Sequence, residues 1–205
     1  MPDEAEAVMT DNSRQMVPVT WNQEVLEAVN TLREGEYRVI GEALGLPVRG
    51  LITVSDLNWL RNGGFEEEDV SMWRVTDLGG AAELYREVKP VDAKKGQAHW
   101  HFYSAERDTV RFTLEQEAQD LPAGCYRYEI SVMGGDCGEQ EVYSYVMING
   151  EVASRCETAF TRWNEWHTAV IENIQVQEGD NVVVGLYVAC SGPGAWGKID
   201  EAYLK

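Results

Sequence analysis

The chain has 205 residues, 44% of them hydrophobic and 25% charged. That composition excludes a disordered chain and allows one large β domain or two smaller ones, each able to bury a core. The formal charge of −18 sets the protein against phosphate backbones and anionic membrane surfaces, so nucleic acid and membrane partners are disfavoured, and no apolar run approaches the ~20 residues of a membrane span.

Helical periodicity is nearly absent. The one candidate, "NQEVLEAVNTLREG", spaces Val25, Leu26, Val29 and Leu32 by one, three and three, which suits a short helix or a loop crossing between strands. Elsewhere apolar and polar residues alternate, punctuated by Gly, Pro, Asn and Asp. "YRVIGEAL" and "VRGLITV" read as strands in the first quarter, followed by "AHWHFYS", "TVRFTLEQEAQDL", "CYRYEISVMG", "EVYSYVMING", "HTAVIENIQVQ" and "NVVVGLYVAC". Turns at "LPAG", "NG" and "EGDN" carry Gly or Asn where positive φ is needed. Many short strands at even spacing predict an all-β protein built from β-sandwiches. Six of the seven tryptophans and all four cysteines follow Ser55–Asn58, which predicts domains at 1–56 and 57–205.

The cysteines, Cys125, Cys137, Cys156 and Cys190, form no CxxC pair and no Cys/His set of zinc spacing. Three pairings are open to an oxidised chain and four free thiols to a reduced one. The start "MPDEAEAVMTDN" lacks a basic region and an apolar core, so it is not a signal peptide; the protein is cytoplasmic or a piece of a longer secreted chain. GxSxG, HExxH and P-loop patterns are missing from the sequence.

The first segment resembles a small bacterial Ig-like module of the kind that spaces the domains of large secreted glycosidases. Val17, Val19, Thr20, Trp21, Gly35, Tyr37, Val39 and Gly41 carry the likeness, which implies an architectural role. The second segment resembles the galactan-binding family 61 carbohydrate-binding modules attached to endo-β-1,4-galactanases of glycoside hydrolase family 53. The likeness rests on "NGGFEEEDVSMWRV", "KGQAHWHFYS", "LPAGCYRYEISVMGG" and the last third from "WNEWHTAV" to "WGKIDEAYL". Trp100 stands where the family usually has leucine, and Tyr103 where it usually has tryptophan.

The resemblance implies a jelly roll without catalytic activity, secreted or at the cell surface, that holds a parent enzyme on β-1,4-galactan. Another plant polysaccharide, or a structural adhesin-type role, are the alternatives. In such a fold the first and last strands lie side by side, which brings "GFE" to "KID". Glu66 and Asp200 with a carbonyl at Lys95 would then give the oxygen shell of a structural calcium, Glu68 being a weaker candidate and Glu67 facing water.

Neutral sugars are held by aromatic rings against their apolar faces and by planar polar groups on their hydroxyls. Alternation in "AHWHFYS" puts Trp100 and Phe102 on one face, read as core, and His99, His101 and Tyr103 on the other, read as a ligand face. Trp196, in the glycine loop "SGPGAWG", is the foremost stacking candidate, with Trp163 in a neighbouring loop. Tyr143 and Tyr145 share a strand face, and Tyr187 lies two residues from Gly185, whose missing side chain would leave room for a sugar ring. Arg86 is a candidate for holding hydroxyls.

Overall fold

The computed structural model describes residues 3–24, 35–54, 57–79, 83–104 and 109–205. The helix candidate at "NQEVLEAVNTLREG" falls largely on 25–34, outside the described residues. The chain divides into two compact units, Met1–Leu57 and Asn58–Lys205.

In the first unit, β1 (Glu4–Val8) pairs with β2 (Arg14–Pro18), and β3 (Thr20–Trp21), β4 (Gly35–Ala43) and β5 (Leu46–Val54) form a three-stranded antiparallel sheet. Val19, Trp21 and Val39 make its small core, with Ala5, Ala43, Val48 and Ile52 packed around them. Alternation in β4 and β5 puts one apolar residue in two against this core and leaves the rest to water.

The second unit is a sandwich of two five-stranded antiparallel sheets. One runs β13 (His167–Val176), β10 (Gly124–Gly135), β15 (Trp196–Leu204), β8 (Ala98–Tyr103), β7 (Glu83–Val88). The other runs β12 (Glu151–Thr158), β11 (Gln140–Ile148), β14 (Val182–Ser191), β9 (Thr109–Ala118), β6 (Arg74–Gly79). The inner faces supply Phe102, Phe112, Leu114, Ile130, Val146, Val184, Leu186 and Ile199, all buried. Phe102 packs edge-on against Phe112 and Phe160, with centroids 5.3 and 5.2 Å away. Burying each such ring stabilises the fold by about 1.5–3 kcal/mol.

The segment entering this unit is stitched to the segment leaving it. Asn58 Oδ1 accepts from the Leu60 and Leu204 N–H groups and its Nδ2 donates to the Ala202 carbonyl, while the Ala202 N–H donates to the Gly63 carbonyl. Within the acidic run, Phe65 and Trp73 are core residues whose rings lie 5.2 Å apart, and the Trp73 indole N–H donates to the Asn62 carbonyl. "NGGFEEEDVSMW" is thus a loop anchored at both ends by buried aromatics, with its acids on the outside.

Candidate functional site

Registry places the aromatic candidates on two different sheets. On the first sheet Trp196 of β15 lies directly opposite Gly135 of β10 on one side and Tyr103 of β8 on the other. A Cβ on Gly135 would meet the Trp196 ring in ordinary contact at 3.4 Å, so the indole lies alongside Gly135 across the strand pair. Its N–H donates to the Asp136 carboxylate at 2.9 Å. Trp163, from the loop before β13, brings its ring to 5.9 Å from Trp196 and is 52% exposed. Tyr103 is exposed as well.

Two residues further along the same face, His101 is half-buried with Tyr85 of β7 edge-on at 5.2 Å. Burial and the Lys198 charge lower the His101 pKa, so its ring is neutral at pH 7. Trp196, Trp163, Tyr103 and His101 therefore come together on one face. Asp136 and Tyr85 join them unforeseen. Nothing local in "GGDCGE" or "ELYREV" marks these two, which become neighbours of the site only through strand pairing.

His99 departs from the expected ligand face. It is fully buried beneath the turn between β7 and β8, where the Lys198 ammonium lies 3.0 Å from its Nε2, from Glu87 Oε2 and from Asp92 Oδ2. Burial first, then the Lys198 charge, lower its pKa to about 4. Among the described residues Glu87, His99 and His101 bring three metal-type ligand atoms within 4.8 Å of one another, but Lys198 already supplies a cation there.

The tyrosines lie on the other sheet. Tyr143 and Tyr187, opposite one another on β11 and β14, stack at 4.9 Å, and the Arg155 guanidinium covers Tyr143. Tyr145 is buried, which corrects its reading as a stacking platform: its hydroxyl donates to Glu115 at 2.7 Å, and Glu115 in turn pairs with Arg74. The space left by Gly185 is not open to a ligand either, because Tyr145 fills it; a Cβ there would meet Tyr145 Cζ at 2.5 Å. Arg86 is likewise corrected. Its guanidinium donates to the Phe65 and Glu66 carbonyls, and its strand position faces away from Tyr85 and the aromatic row.

The residues expected to hold calcium, Glu66, Lys95 and Asp200, lie around one turn, where backbone N–H groups already engage the carboxylates. Glu66 accepts the Gln97 and Ala98 N–H groups, and Asp200 Oδ2 accepts those of Lys94 and Lys95 at 2.8 and 3.2 Å. Lys95 presents its N–H to Asp200, and its ammonium lies 3.7 Å from Glu201. Asp200 is fully buried, and burial pushes its pKa up to about 7. Its Oδ1 accepts the Glu201 N–H as well, and among the described residues Glu66, Asp200 and Glu201 do not bring three ligand atoms within 4.8 Å of one another as Glu87, His99 and His101 do. Glu67 and Glu68 are exposed.

A two-sheet sandwich with an exposed aromatic platform on one sheet is the architecture of a β-sandwich carbohydrate-binding module. TmCBM61, solved in complex with β-1,4-galactotriose, is 30% identical with a TM-score of 0.63, the match covering 73% of this chain and 99% of that one. The chain belongs to family 61 of the carbohydrate-binding modules. Residues 1–46 match the bacterial Ig-like domain, group 4.

More distant structures share the fold alone. One comes from work on the promiscuous specificity of β-sandwich carbohydrate-binding modules; it is 12% identical, with TM-score 0.55, covering 84% of this chain and 75% of its own. Another is the enzymatically active domain of bacteriophage CBA120 tailspike protein 4, 10% identical, with TM-score 0.54, covering 72% of this chain and 21% of its own. No curated protein matches the chain significantly.

Proposed function

We propose that the chain binds β-1,4-galactan, laying galactose rings on Trp163, Trp196 and Tyr103, and that it performs no catalysis. The observation that carries this reading is the pairing of exposed Trp163 with half-buried Trp196 beside exposed Tyr103, with the Trp196 indole N–H fixed by Asp136. Water-exposed aromatic surface gains most by covering the C–H faces of a sugar, and the match to a module solved with galactotriose favours galactan among neutral polysaccharides. Glycoside cleavage needs two carboxylates flanking the bond, whereas the carboxylate placed at the indoles, Asp136, is engaged by Trp196.

The module is secreted and tethers an attached galactanase to pectic side chains, raising its local concentration there. A shallow site on flexible sugars gives a Kd of about 10–100 µM. Calorimetric titration with galacto-oligosaccharides, against arabinan, mannan and β-glucan fragments, tests the assignment. Preferential heat with another glycan would replace galactan as the ligand, and no heat with any of them would leave a structural module pair.

Calcium at Glu66 and Asp200 is part of the proposal. Bound there, the ion would neutralise the buried Asp200 and join the entering and leaving segments. A melting temperature that falls on adding a chelator and recovers with calcium is expected; an unchanged one removes the metal.

A further inference from the structure

We propose that Cys137 and Cys190 form a disulfide when the protein folds under oxidising conditions, while Cys125 and Cys156 remain thiols. The sequence leaves three pairings open, and the fold selects one. Cys190, on the inner face of β14, is buried in the sandwich core, and Cys137, in the loop between β10 and β11, packs against that same core. The two thiols are neighbours, and contact with Cys137 together with burial pushes the Cys190 thiol far up.

The backbone holds them in register. Gly138 N–H donates to the Ser191 carbonyl at 2.7 Å, Ser191 N–H to the Glu139 carbonyl at 2.8 Å, and Glu139 N–H to Ser191 Oγ at 2.7 Å, so the Cys137 loop is clamped to the end of β14. The other two cysteines are elsewhere. Cys125 begins β10 on the first sheet, exposed, with its sulfur accepting from Gln175. Cys156 lies on β12, an edge strand of the second sheet.

The chemistry is two thiol–disulfide exchanges with a small disulfide such as oxidised glutathione. A Cys137 thiolate attacks the disulfide, forming a mixed disulfide and releasing one glutathione thiolate. A Cys190 thiolate then displaces the second glutathione, leaving the Cys137–Cys190 bond. Both cysteines are oxidised, both glutathione sulfurs are reduced and take up the two thiol protons. Because the native Cys190 thiol is buried and hard to ionise, exchange in the finished fold is slow, and the bond forms during folding.

Its neighbour Asp136 holds the Trp196 indole, so the bridge fixes the wall of the aromatic platform as well as the sandwich. It closes a loop of about fifty residues, a length at which a cross-link raises the melting temperature by about 5–10 °C for a unit of this size.

The test refolds the full reduced chain in a glutathione redox buffer. The expected product is lighter by two hydrogens, yields a Cys137–Cys190 cross-linked peptide on digestion without reductant, and melts about 5–10 °C above the fully reduced protein. The Cys125→Ser, Cys156→Ser double variant should keep the cross-link. Cys137→Ser, at a partly exposed position, should lose both the mass change and the melting shift. Four alkylatable thiols after oxidative refolding, or a cross-link mapped to any other pair, overturns the proposal. The readouts are independent of sugar, so its failure is separable from failure of the galactan reading.

Discussion

The two sheets of the sandwich carry similar aromatic residues to opposite ends. On one, Trp196 lies over Gly135 and keeps a face toward solvent beside exposed Trp163 and Tyr103. On the other, Tyr145 lies over Gly185 and is itself buried, while Tyr143 and Tyr187 stack on each other under Arg155. The approach is close at Gly185, where a Cβ would meet Tyr145 Cζ at 2.5 Å, and ordinary at Gly135, where it would lie 3.4 Å from the Trp196 ring. The faces also differ in whether neighbouring side chains close over the ring. On the tyrosine sheet the Arg74–Glu115 pair takes up the Tyr145 hydroxyl; on the tryptophan sheet Asp136 takes up the Trp196 indole N–H, and Trp163 beside it stays 52% exposed.

The sharpest way to break this comparison is to remove one ring from each face. Trp196→Ala should weaken galacto-oligosaccharide binding by about 30-fold or more, the ~2 kcal/mol or greater loss of a central aromatic contact. Tyr187→Ala should leave the Kd within about twofold. Calorimetry on both variants decides it; equal losses would make both faces ligand sites, and a tyrosine-only loss would move the site to the second sheet.

The faces also differ in buried charge, and that difference is readable in pH. His99, on β8 of the tryptophan sheet, has its pKa lowered to about 4 from an ordinary 6.5. Between those values the unfolded chain binds the proton and the folded one does not. Stability from this group is therefore fully present above about pH 6.5 and is lost as pH falls toward 4, by on the order of 3 kcal/mol. Asp200 runs the other way, since its raised pKa favours the fold as pH drops. Comparing the wild type with His99→Gln, which cannot charge, isolates the histidine. Urea unfolding at pH 7 and pH 4.5 should show the wild type losing more stability than the variant on acidification.

On the tyrosine sheet the expected effect is smaller and concerns the fold alone. Gly185→Ala would drive a methyl group into Tyr145, disturbing its bond to Glu115, at a cost of about 1–3 kcal/mol. Sugar affinity should not change. A variant that lost affinity without losing stability would return Gly185 to the ligand site.

How much of this the sequence carried depends on which residue pairs must be known. Central strands β8, β9, β10, β11 and β14 are legible from alternation, because one face of each is buried. β6, β7 and β12 escaped, all three at sheet edges, where few residues such as Val75, Leu84 and Cys156 pack on the core and the rest stay polar against stray pairing; central β15 was not read from alternation either, because its buried positions include Lys198 and Asp200. Alternation gave His99 the right face of β8 but not the turn at Lys89 and Asp92 that covers it. That Tyr145 fills Gly185 follows only from their being cross-strand partners, a register no local pattern supplies. Trp196 and Trp163 were visible as tryptophans in glycine-rich or polar loops, whereas Asp136 had no signal of its own.

The smallest effect tests a departure from the family pattern. Trp100, where leucine is usual, is buried against Phe65 at 5.9 Å, and its indole N–H has no hydrogen-bond partner. Trp73 also packs on Phe65, with centroids 5.2 Å apart, but donates to the Asn62 carbonyl at 3.1 Å. An unsatisfied buried N–H costs about 1–3 kcal/mol, which offsets much of what the larger ring gains by burial. Trp100→Phe removes that N–H along with some volume, so the two changes oppose each other and the net should lie within about 1 kcal/mol of the wild type. Trp73→Phe loses volume and a satisfied bond together, although the Asn62 carbonyl keeps the Phe65 N–H at 3.1 Å, so it should be the more destabilising of the pair. Melting both variants ranks them, and a Trp100→Phe loss as large as that of Trp73→Phe would mean that the Trp100 N–H has found a partner, such as an ordered water, in solution.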